Sequence, residues 1–162
     1  MPTLLDDVQI KYLADVPQFI PTLAEWTFAA WGKYDPTLSV AGSIESLHKN
    51  LNKDKIPLTF VVLKEDQPIA TVTLKPSVKV TGYADRDLWL GSFWVLDGYR
   101  DQGVGLWLLE QAYRKARELG FNKISLFASD PNAALWYAQH GWRKFAVDTY
   151  QNHTVSLLEH DL

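Results

Sequence analysis

The chain predicts an α/β fold, an α+β type of mixed sheet with helices packed on it, and three observations predict it. Short β-branched runs are interleaved with stretches of helical period instead of being gathered at one end. No linker, repeat or low-complexity tract divides the chain, so residues 1–162 read as a single domain. At 162 residues and 47% hydrophobic composition, such a domain buries about two thirds of its unfolded surface.

Phe19, Leu23, Trp26 and Ala30 recur at helical spacing and predict a first helix from Val16 to Trp31, ending near Gly32. A second helix is expected over Val40–Leu51, with Ser39 as its N-cap. Leu58–Leu63 and Pro68–Leu74 read as two strands of a hairpin joined by Lys64-Glu-Asp-Gln67. Residues 77–87 lack a period and read as a loop or irregular sheet continuation. The apolar run Leu88–Val95 fits a strand buried on both faces, with Gly91 as the place for a bulge. The apolar positions Gly105, Leu108, Leu109, Ala112, Ala116 and Leu119 define a third helix, with Gly120 at its C′ position. Lys123–Ala128 is a strand. Asp130 and Pro131 open a short fourth helix that stops before Gly141, and strands near Arg143–Asp148 and Thr154–Leu158 complete the order.

Between the strand ending at Val95 and the third helix lies Arg100-Asp-Gln-Gly-Val-Gly-Leu106. A strand that turns through glycines into a helix leaves main-chain N–H groups free at the positive end of a helix dipole, where phosphate is held. Gly103 and Gly105 lack a Cβ, so a ligand can approach the backbone. The segment lacks the Gly-Lys-Ser/Thr of a Walker loop, and Leu108 stands where a dinucleotide fingerprint needs a small residue. About thirty residues on comes Asp130-Pro-Asn-Ala-Ala-Leu-Trp-Tyr-Ala-Gln-His-Gly-Trp142.

Together the two segments resemble the GNAT family of N-acetyltransferases: the first its Gln/Arg-x-x-Gly-x-Gly/Ala acyl-CoA signature, the second its Asn-x-x-Ala-x-x-Phe-Tyr-x-x-x-Gly-Phe segment. The resemblance covers Trp89 to Phe145. It implies a GNAT-like acyl-CoA N-acyltransferase fold, a mostly antiparallel sheet of about seven strands with about four helices, once a first strand is placed at Val8–Tyr12. It implies acetyl-CoA as acyl donor. The main chain of Phe93 and Val95 would pair with pantetheine, and the N–H groups of Gln102, Gly103, Val104, Gly105 and Leu106 would hold pyrophosphate. Asn132 would bond the pantetheine arm or satisfy its helix start. Tyr137 would meet the thiolate as general acid, or pack its helix on the sheet together with Ala134 and Ala138. Arg100 would add charge near a phosphate or tie down its loop, and Asp101 should face solvent.

A lysine-like acceptor amine has a pKa near 10.4 and must lose a proton before it attacks. Many family members supply a glutamate on the strand before the signature. Here that strand reads Trp89-Leu-Gly-Ser-Phe93, so Asp87 at its start, Ser92 holding a water, or ordered water alone must serve. By the family layout the acceptor lies near the first two helices, where Trp31, Tyr34 and Asp35 are the candidates and Trp26 belongs to the core stripe. Aromatic faces with a carboxylate suit a cationic amine.

Zero cysteines exclude disulfides, thiolate metal sites and a cysteine acyl-enzyme. His48, His140, His153 and His160 show no metal-ligand spacing, so no metal is expected. A net charge of −3 argues against broad nucleic-acid binding. No apolar run long enough for a membrane span, and no signal-peptide pattern, is read in the chain, so a cytoplasmic protein without membrane attachment is expected. The leading expectation is direct acetyl transfer from acetyl-CoA to a primary amine of a small molecule, antibiotic, peptide or protein. Two alternatives stay open: a GNAT-like sensor or scaffold that binds acyl-CoA without turnover, and a glycine loop for another phosphate ligand or none. The C-terminal strands offer a surface on which two copies could form a homodimer.

Overall fold

A computed structural model describes residues 4–162. Its strands are β1 (Val8–Tyr12), β2 (Leu58–Lys64), β3 (Gln67–Lys75), β4 (Trp89–Val95), β5 (Lys123–Ala128), β6 (Arg143–Tyr150) and β7 (His153–Asp161). Its helices are α1 (Ile20–Trp31), α2 (Val40–His48), α3 (Val104–Glu118) and α4 (Pro131–Gln139). All seven strands form one sheet in the order β1-β2-β3-β4-β5-β7-β6. Every neighbouring pair is antiparallel except β4 and β5, which run parallel and pair only through Trp89 and Ser125.

Local chemistry accounts for the element boundaries. Pro17 and Pro21 lack N–H groups, so a 3-10 turn at Pro17–Phe19 leads into α1, which starts at Ile20, later than the apolar spacing predicts. Ser39 caps α2 by accepting the Gly42 N–H at 3.0 Å, but α2 ends at His48 rather than Leu51. The β2–β3 and β6–β7 hairpins turn on two residues with positive φ, Glu65-Asp66 and Gln151-Asn152, as tight hairpins require. Asp130 caps α4 by accepting the Asn132 N–H.

The two faces of the sheet are covered differently. On one face α3 and α4 bury Phe60, Val62, Val72, Leu90 and Leu126 together with Leu108, Leu109 and Ala112. On the other, α1 and α2 cover Val61 and Leu63 with Ile20, Leu23, Ala24 and Leu47. Trp26, expected on the core stripe of α1, is only partly buried against that cluster. The long β3–β4 connection is pinned at the paired end of β4 and β5: Arg86 donates to Ser125 at 3.0 Å and to Glu159 at 2.9 Å, with its guanidinium over Phe145. The splay of β4 from β5 therefore opens in one direction, toward the C-terminal end of β4.

Candidate functional site

The site is built where β4 leaves β5. Gly91 pairs with Thr73 and Trp94 with Thr71, so Ser92 and Phe93 together oppose the single residue Val72. This bulge sits at Ser92, with φ +50, one residue beyond the predicted Gly91. One extra residue reverses the phase of the strand. Phe93 and Val95 consequently pack on the α3/α4 face, while Trp94 turns to the α1 face and meets Trp31 edge-on at 5.6 Å. Leu96 donates to the Ile69 carbonyl, so the Val95 main chain, one residue back, faces away from β3 into the split. β4 is thus half open rather than buried on both faces along its length.

The glycines of the loop have separate duties. Gly103 adopts φ +87, which favours glycine, and is the N-cap of α3 without a capping side chain. The first helical bond runs from Trp107 to the Gly103 carbonyl, so the N–H groups of Val104, Gly105 and Leu106 have no helical acceptor. A Cβ on Gly105 would lie 3.2 Å from Phe93 Cζ and 3.5 Å from a Val95 methyl. The absence of a side chain at Gly105 therefore lets α3 approach β4, a packing duty that the sequence reading had assigned to ligand access.

Arg100 donates from Nε to the Val95 carbonyl at 2.8 Å and lies over the Trp94 ring at 4.4 Å, tying its loop to β4. Gln102 donates to the Gly98 carbonyl, and Asp101 is exposed as expected. Asn132 is exposed, and its side chain makes no hydrogen bond with any described residue; the capping duty belongs to Asp130. Tyr137 is 9% exposed, its ring set among Phe93, Trp136 and Trp142 at 6.2, 5.3 and 5.6 Å. Its hydroxyl has no hydrogen-bond partner among the described residues. Burial, reinforced by Tyr113, pushes its pKa well above the ordinary phenol value, so it remains a proton donor. Ala134 shares its buried face, whereas Ala138 is exposed.

Asp87 does not join this group. It is exposed at the paired end of β4, six residues before Phe93, which is about 20 Å along a strand. His140 is exposed at the end of α4, with Nδ1 2.7 Å from the Trp136 carbonyl oxygen.

On the α1 face, Trp31, Tyr34 and Asp35 come together with residues that the sequence reading missed. Tyr34 meets His153 edge-on at 5.5 Å. Asp35 accepts from the Thr37 N–H and hydroxyl, from Tyr150 at 2.8 Å and from Lys79 at 3.3 Å. Burial alone would raise its pKa, but the Thr37 and Tyr150 hydrogen bonds and Lys79 outweigh it and hold the carboxyl below its usual value. The α1–α2 connection is thereby fastened to the β6–β7 hairpin across the mouth of the split. Tyr150 and His153 lie more than a hundred residues from their partners, and no spacing signal connects them. Lys75, at the end of β3, was also missed; its side chain runs across Gly91.

A separate groove of about 260 Å³ between β1 and α3, lined by Tyr12, Phe60, Arg114 and Lys115 among others, holds none of the predicted site residues. Among the described residues, no helix is long and apolar enough to cross a membrane, and no group of acidic, histidine or cysteine residues could hold a metal ion.

A family model described as the acetyltransferase (GNAT) family matches residues 19–142. Solved structures of similar fold include the acetyltransferase of GNAT family from Streptococcus pneumoniae, with 16% identity, a TM-score of 0.68, and coverage of 96% of this chain and 99% of that one. Aminoglycoside 6'-acetyltransferase type Ii shares 15% identity at a TM-score of 0.70, covering 94% and 96%. A GNAT family acetyltransferase from Elizabethkingia anophelis with acetyl-CoA bound shares 16% identity at a TM-score of 0.63, covering 97% and 99%. At these identities the likeness is one of fold. No curated protein matches the chain in sequence.

Proposed function

The chain belongs to the GNAT acetyltransferase family, and from that premise we propose that it transfers an acetyl group from acetyl-CoA directly to a primary amine held in the same complex. The observation that carries the reading is the junction of the β4–β5 split, the uncapped start of α3 and the unpartnered Tyr137 hydroxyl.

In this reading the Phe93 and Val95 main chain pairs with the pantetheine arm, the Asn132 side chain adds a contact, and the N–H groups from Gln102 to Leu106 receive the pyrophosphate. Arg100 holds the loop in shape and does not itself need to touch phosphate. The neutral amine nitrogen attacks the thioester carbon, a C–N bond forms, the C–S bond breaks, Tyr137 protonates the departing thiolate, and its phenolate takes a proton back from water as the products leave. The amine proton leaves through water near Ser92, because β4 carries no carboxylate and Asp87 is remote. The acceptor enters from the α1 face past Trp31, Tyr34 and the Asp35–Tyr150 fastening. A small molecule or peptide amine fits this position, and a cytoplasmic protein fits the chemistry. The missing strand carboxylate equally suits a module that binds acyl-CoA without turnover.

Calorimetric titration with acetyl-CoA, with ATP and NAD as controls, tests the donor site. Selective micromolar binding supports it, and no binding to folded protein refutes it. Thiol release with a panel of amines then separates enzyme from binding module, free of protein background because the chain has no cysteine.

A further inference from the structure

Lys75 stands opposite Trp89 at the end of β3, yet its side chain ends beside Gly91, two residues along β4 toward the bulge. A Cβ on Gly91 would lie 2.6 Å from Lys75 Cε and 2.8 Å from Nζ, so the glycine is what admits the side chain. Residues 89 and 91 share the α1 face, the face on which Trp94 meets Trp31 just beyond the bulge. The ammonium makes no hydrogen bond and no ion pair with any described residue.

The charges around Lys75 are unbalanced. Lys79, on the β3–β4 connection, acts on it as a second cation, and Arg100 lies over Trp94. Asp35, the carboxylate that Lys79 meets, is already bonded by Thr37, Tyr150 and Lys79, and Asp148 is engaged by Tyr83 and the Thr149 N–H. The ammonium keeps some contact with solvent, so it offers an accessible, unpaired positive charge that an anionic group can meet in place of water.

Resting on the acetyl-transfer reading above, we propose that Lys75 anchors an anionic group of the acceptor, so that the acceptor is an amino-acid-like small molecule whose amine lies a few bonds from a carboxylate. This replaces the cationic amine that Asp35 and the aromatic residues suggested. Burial, with Lys79 nearby, lowers the Lys75 pKa to about 8. At pH 7 such a group is still about nine-tenths cationic, which suits holding an anion better than removing a proton. Trp31 and Trp94 supply the apolar wall for the rest of the molecule.

The test uses matched probes: free L-amino acids, aromatic and aliphatic, against their carboxamides, with spermidine as a polycation, read by thiol release from acetyl-CoA. The expected result is about a tenfold preference in kcat/KM for the free acid over its amide, the scale of one charge-assisted contact. In Lys75→Met, KM for the acid rises about tenfold, while kcat and the amide's constants change little; Lys75→Arg keeps part of the preference. Acetyl-CoA affinity, measured by calorimetry on each variant, stays within about threefold, which also certifies folding. Amides or spermidine used as well as the acids, a preference that survives in Lys75→Met, or no turnover of any free amino acid would each overturn the proposal. Failure of the underlying reading looks different, since acetyl-CoA would then not bind, or would bind while no amine of any class, amides and spermidine included, released thiol.

Discussion

The two faces of the sheet at the β4–β5 split are made of different material. The α3/α4 face offers main-chain groups, released by one bulge and one uncapped helix start. The α1 face offers side chains drawn from α1, β3, β6 and β7. A backbone site is set by residues close together in sequence, whereas a side-chain site is set by contacts such as Asp35–Tyr150, which span 115 positions. Substitutions should therefore separate the faces, each disturbing donor or acceptor without the other.

The largest effect is expected where the helix meets the strand. Gly105→Leu would drive a side chain into Phe93 and Val95, and acetyl-CoA affinity should fall more than about a hundredfold by calorimetry. Survival of that affinity would remove the backbone site from the account. Next comes Tyr137→Phe, which deletes a hydroxyl without a partner among the described residues. Turnover should fall by about two orders of magnitude, with acetyl-CoA affinity and melting temperature nearly unchanged. Unchanged turnover would leave Tyr137 a packing residue.

On the other face, Lys75→Met should stabilise the protein. With its pKa lowered from 10.5 to about 8, Lys75 binds fewer protons folded than unfolded. The penalty is full below about pH 8 and disappears as pH climbs through the unfolded value. Its removal is worth about 2–3 kcal/mol at pH 7, or roughly 5–10 °C in melting temperature. A gain that persists undiminished at pH 11 would contradict the assignment. Asp35→Asn should act in the opposite direction, losing about 1–2 kcal/mol at pH 7 as hydrogen bonds to a charged acceptor weaken. Because the Asp35 pKa is lowered in the folded state, that contribution exists above the unfolded carboxyl value and fades as pH falls through the folded one, so the variant and parent should converge in acid. Asp87→Asn should change neither stability nor turnover, in keeping with its exposed position at the paired end of β4.

The same contrast explains what was legible in the sequence. Element types followed from periodicity, and the caps at Ser39 and Asp130 followed from side-chain chemistry one turn away. The uncapped start of α3 was visible because Gly103 and the helix behind it are neighbours in the chain. The bulge was misplaced by one residue because Gly91 advertises conformational freedom, whereas the positive φ falls on Ser92 and the glycine instead admits Lys75. Trp31, Tyr34 and Asp35 were singled out as acceptor-side candidates, but the residues they touch, Trp94, His153 and Tyr150, were not, since only the folded sheet brings them together.

If the donor is held by the backbone of β4 and the start of α3, amide hydrogen exchange with and without saturating acetyl-CoA will show where. New protection is expected only in the Phe93–Val95 segment and in residues from Gln102 to Leu106, with the Asp35 and Tyr150 segments unchanged. Protection that appears at the α1 face, or in the groove beside Tyr12 and Arg114, while those amides exchange as before, would contradict it.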